Sequence, residues 1–124
     1  MPASRFKSGG FGLADQRDKR ARRRVRVNLA GLICFGPAVM ADCTIRDLSE
    51  LGARLQIGNV LGLPPEVLLV ILSEGVVFRA RWVWSKPPLF GVEFLEADDL
   101  ARTTRPAYAA LRRTWQAWRE RAEA

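Results

Sequence analysis

The sequence predicts a mainly β protein: a small six-stranded antiparallel β-barrel with a C-terminal α-helix and a flexible basic N-terminal arm. Three observations lead there. From Val25 onward, apolar and polar residues alternate in short segments, the period of strands with one buried face. Turn-forming residues separate the segments and no crossover helices lie between them, so the strands must run antiparallel. Beyond about residue 98 the period lengthens to that of a helix. With 124 residues, the chain makes one domain large enough to fold without disulfides or metal.

Taken in order, residues 1–18 carry no apolar period and are expected to form a mobile tail, leaving 19–124 for the barrel domain. Val25, Val27 and Leu29 alternate with Arg26 and Asn28 as a first strand, punctuated by Gly36-Pro37. Val39–Ile45 fits a second strand. After a turn over Asp47–Gly52, Ala53, Leu55 and Ile57 alternate with Arg54 and Gln56 as a third. Gly58–Pro65 reads as a loop, and the apolar, β-branched run Glu66–Leu72 as a buried fourth strand, closed by a tight hairpin at Ser73-Glu74-Gly75. In the fifth, Val76–Ser85, Arg79 and Arg81 face away from Phe78, Ala80, Trp82 and Trp84, so both tryptophans are expected in the core. Pro87 and Pro88 lead to a sixth, Leu89–Glu96. From about 98 to 122 the chain favours helix, with Pro106 opening the final helix. Its stripe of Tyr108, Leu111, Trp115 and Trp118 is expected to plug or cover one end of the barrel.

Composition narrows the function. The net charge is +7, but Arg17–Arg26 alone holds seven basic residues against one acid, a local balance of +6. The rest of the chain is then nearly neutral, which argues for an anionic partner at this arm. With no histidine in the chain, the usual zinc sites and a histidine general base are excluded. No Gly-rich phosphate loop and no carboxylate pair set for acid and base work are evident, so no catalytic residues, metal or cofactor are assigned. Cys34 and Cys43, nine positions apart, fit no redox or zinc spacing and read as buried, reduced thiols. The N-terminus lacks a signal peptide's apolar core and Asn28–Ala41 is too short and too broken to span a bilayer. A cytoplasmic protein is expected.

Two segments carry chemistry. "DLSELG", Asp47–Gly52, puts two short acceptor side chains and a bare backbone position at the mouth of a strand. On the residues alone this is either a connecting turn or a ligand corner. "RARRR", Arg20–Arg24, supplies guanidinium forks that suit phosphates and stack on bases, or serves as a solvated charge run that tethers nucleic acid. A guanine nucleotide would satisfy both segments: Asp47 can accept its N–H donors, Ser49 can accept and donate, and Gly52 allows close approach.

On these two motifs, and on "GVEF", Gly91–Phe94, the chain between Lys19 and Glu96 resembles the PilZ domain, the bacterial receptor module for cyclic di-GMP. That family pairs R-x-x-x-R on an N-terminal arm with [D/N]-x-S-x-x-G between two barrel strands. The resemblance implies that Arg20 and Arg24 hold phosphates and stack on guanine, that Arg22 or Arg23 adds phosphate contacts, and that Asp47, Ser49 and Gly52 receive the bases. Arg22 and Arg26 have the same spacing, so a second register is available. It further implies an adaptor whose arm is ordered by ligand and which signals in trans to a partner protein, in motility, adhesion or exopolysaccharide control. A nucleic-acid module using the basic arm, and a PilZ-like barrel that binds only protein, are the alternatives.

Overall fold

The computed structural model describes residues 24–35, 40–58 and 64–123. The tail, Arg20, Arg22, Arg23, the Gly36-Pro37 break and most of the Gly58–Pro65 loop lie outside the described residues. Six strands follow in order, β1 (Val25–Cys34), β2 (Met40–Leu48), β3 (Gly52–Ile57), β4 (Glu66–Ile71), β5 (Val76–Lys86) and β6 (Leu89–Asp99). They close an antiparallel barrel in the spatial order β1-β2-β3-β6-β5-β4. A 3-10 turn at Pro106–Tyr108 leads into one helix, α1 (Ala109–Glu123). Among the described residues no helix is long and apolar enough to cross a membrane.

The alternating pattern sorts most side chains as expected, while Val25, placed on the buried face of the first strand, is 60% exposed. Ile33, Ile45, Leu55, Leu69, Ile71 and Phe78 fill the barrel interior, where Phe78 stacks on Phe94 with centroids 3.8 Å apart. Each such side chain removed from water stabilises the fold by about 1.5–3 kcal/mol. The β4–β5 hairpin turns on Gly75, whose φ of +67° suits glycine.

Three expectations need correction. The helix does not begin near 98: Asp98 and Asp99 extend β6, opposite Val77 and Val76 of β5, and a connector separates them from α1. Pro106, lacking an N–H, opens the 3-10 turn instead. Nor does the helix plug an end of the barrel. Tyr108, Leu111 and Trp115 pack with Leu32, Cys34, Val70, Leu72 and Val77, which alternate with the interior residues and so face outward. The helix therefore lies against the outer wall of β1, β4 and β5, and Trp115 Nε1 donates to the Leu72 carbonyl at 3.0 Å. This explains the unbroken apolar run of β4: Leu69 and Ile71 face inward while Val70 meets the helix. The third correction concerns Trp84 and belongs to the site below.

Both cysteines are buried and unbridged. Burial first, and the Asp42 carboxylate second, push the Cys43 thiol from an ordinary 9.0 up to about 12. Because the folded value is the higher one, Cys43 adds stability that is complete below about pH 9 and is lost as pH rises towards 12. Iodoacetamide near neutral pH is expected to leave Cys43 unmodified in the native protein and to alkylate it fully in denaturant, as mass spectrometry would read. Native alkylation would contradict the burial.

Candidate functional site

The corner between β2 and β3 is built by Ser49. Its Oγ accepts from the Leu51 and Gly52 amides at 3.2 and 3.3 Å, and its own amide donates to the Gly52 carbonyl at 2.9 Å. These bonds close a tight turn over Ser49–Leu51, narrower than the Asp47–Gly52 turn expected, because Asp47 and Leu48 already belong to β2. The Leu51 carbonyl then accepts from the Phe94 amide at 2.8 Å, fastening the corner to β6. Gly52 is demanded by the same closure: a Cβ there would stand 2.1 Å from the Val92 carbonyl oxygen. Ser49 and Gly52 thus have structural duties whatever else they do.

Asp47 is turned outward by an irregularity. Ile45 and Leu48 both face the interior, so strict alternation would bury Asp47 there too. The β2–β3 register slips one residue between Ile45 and Asp47, and the extra residue, Arg46, puts Asp47 on the outer wall. Only 7% exposed, its Oδ2 accepts from Arg54 Nε, which closes an ion pair across the two strands. Arg26 of β1 stands opposite Asp47 on the other side and is exposed.

A second bulge extends this wall. Trp82 opposes Val92 but Trp84 opposes Gly91, leaving Val83 as the extra residue. Trp82 therefore packs inward near Phe90, with centroids 5.6 Å apart, while Trp84 turns out and lies over Gly91, 36% exposed. The expectation that both indoles face the core holds for Trp82 and fails for Trp84. Across the outer wall, the register sets Arg26, Asp47, Arg54, Gly91 and Trp84 side by side. Gly91→Ala would bring a Cβ to 2.1 Å from Trp84 Nε1, and the indole can swing away. Greater acrylamide quenching than in the parent protein is expected, and that increase should vanish in a Trp84→Phe background.

The structure thus brings together Asp47, Ser49 and Gly52 from the sequence reading, and places Arg24, exposed, at the entrance of β1. Arg20 and Arg23 fall outside the described residues. Arg54 and Trp84 join from the structure alone. Chemically the wall offers one carboxylate acceptor, guanidinium donors beside it and one aromatic face, a set suited to an N–H-rich base carrying phosphate. A cavity of about 410 Å³ lies elsewhere, between the outer wall at Cys34, Glu66 and Leu68 and the helix side at Ala107, Ala110 and Leu111.

A family model described as "PilZ domain" matches residues 18–105, which span the arm, all six strands and the connector. No curated protein matches the chain.

Proposed function

Since the chain belongs to the PilZ domain family, the receptor domains for cyclic di-GMP, we propose that it binds this dinucleotide on the outer wall of β1, β2 and β3. The observation that carries the reading is that the outward bulge at Arg46 sets the Asp47 carboxylate beside Arg26, with Arg24 two residues upstream on the arm side. Guanine N–H groups are the donors that carboxylate would receive, and the phosphates would take the arm arginines Arg20, Arg23 and Arg24. Trp84, on the same row, offers a stacking face.

Cyclic di-GMP carries two negative charges against the local balance of +6. Neutralisation would draw the arm across the wall and change the surface a partner protein meets, the disorder-to-order logic of many switches. The role is that of a cytoplasmic receptor and adaptor, and not of a catalyst, with motility, adhesion or polysaccharide export as the processes served.

Isothermal titration with cyclic di-GMP is expected to saturate at one or two ligands per chain, with GTP and a random DNA duplex giving no comparable site. The concentrated charge of the arm favours one second reading, a nucleic-acid tether. Binding to many duplexes, falling steeply with salt, together with no saturable dinucleotide site, would replace the receptor reading by that one.

A further inference from the structure

We infer that Arg54 is a positioning residue for the ligand: it fixes the Asp47 carboxylate by one oxygen and leaves the other turned towards the bound base. The inference rests on the cyclic di-GMP reading and deepens it, since Arg54 belongs to neither sequence motif. Arg54 Nε engages Oδ2 of Asp47, whereas no described group bonds Oδ1. The carboxylate side chain is 9% exposed and that of Arg54 34%. An acceptor so deeply set cannot rotate freely while one oxygen is held, so Oδ1 keeps a single direction. Gly91, opposite Arg54 on β6, has no side chain to compete for the guanidinium. The ligand then meets an acceptor already aimed, and loses less freedom on binding than it would against a swinging carboxylate.

A second role for the same arginine, direct contact with a ligand phosphate, predicts a different pattern, and a double-mutant cycle separates the two. Asp47→Asn keeps a carbonyl acceptor at the position, so binding stays measurable, but weakens the ion pair that Arg54 depends on. Arg54→Met in the parent protein is expected to weaken cyclic di-GMP binding about 10-fold. In the Asp47→Asn background the same change should cost no more than about 2-fold. Equal losses in both backgrounds, or no loss in the parent, would overturn the inference while leaving the receptor reading intact. Failure of the parent protein itself to bind would remove both together. Circular-dichroism melting of each variant checks folding; where Arg54→Met does not fold, Arg54→Lys takes its place in the cycle, with the same non-additivity expected and full additivity overturning the proposal.

Discussion

Replacing Gly52 by alanine is expected to destabilise the barrel by about 3 kcal/mol, a fall in melting temperature of about 10–15 °C. The added Cβ would sit 2.1 Å from the Val92 carbonyl oxygen and 3.2 Å from the Glu93 Cα. All of these are backbone atoms and none can rotate aside. Relief requires β3 and β6 to part at the Gly52 and Glu93 pair, where their ladder begins, and to strain the Leu51 carbonyl bond that fastens the corner. The contrast is Gly91, whose Cβ would meet only an indole edge, so Gly91→Ala should melt within a few degrees of the parent. Thermal melting of both variants decides the matter. A Gly52→Ala protein melting like the parent would show that closure does not require glycine, and would return Gly52 to the role of a gap for ligand approach. The expected result also carries a warning for binding studies: lost affinity in Gly52→Ala reports the barrel before it reports the ligand.

How much of this was legible in the residues follows from which signals are local. The strand alternation at Ala53–Ile57 reads directly, because a one-sided wall imposes a period of two on any chain that forms it; at Val25–Leu29 it holds for Val27 and Leu29, which pack on the core, and fails for Val25, which is 60% exposed. The apolar run of β4 is also visible, but its cause is not: periodicity alone cannot tell that Val70 leans on a helix forty residues downstream. The helix begins later than residue 98 because Asp98 and Asp99 end β6 and Thr103 lies in the connector. Their side chains hold the connector: the Asp99 carboxylate accepts from the Ala101 amide and Asp98 from the Thr103 hydroxyl, each at 2.9 Å. Arg112 completes it by donating to the Leu100 and Thr103 carbonyls.

For the candidate site, the motif spacing singled out Asp47, Ser49 and Gly52, and of the two readings the structure shows the turn: Ser49 builds it beside Asp47. That structural duty is compatible with the ligand role proposed for Asp47. Arg54 and Trp84 escaped because the faces of Asp47 and of Trp84 depend on one-residue bulges at Arg46 and Val83, and a bulge reverses the face of everything after it. Alternation did place Arg54 outward; what it lacked was the fact that Asp47 is outward as well. Nothing local marks Val83 as an extra residue, apart from an exposed valine between two tryptophans.

Arg24→Ala should separate function from fold in the opposite direction to Gly52. Arg24 is exposed at the entrance of β1, no described residue holds it, and it stands two residues before Arg26, the partner of Asp47 in the ladder. It lies just outside β1, which begins at Val25, and a long arginine side chain there is expected to reach a phosphate on a base seated at Asp47. Charge-assisted bonds to a phosphate are worth about 1.5–3 kcal/mol, so affinity for cyclic di-GMP should fall about 10- to 100-fold while melting changes by less than about 0.5 kcal/mol. Arg113→Ala, an equally exposed arginine on α1, is the control and should leave affinity within about 2-fold, since long-range charge alone is screened beyond about 10 Å. The alternate register makes its own prediction: if Arg22 and Arg26 hold the phosphates, Arg26→Ala gives the large loss and Arg24→Ala the small one. Equal, minor losses for Arg24→Ala and Arg26→Ala, in a protein that still binds, would place the phosphates away from β1 and exclude the arm arginines nearest the barrel from the site.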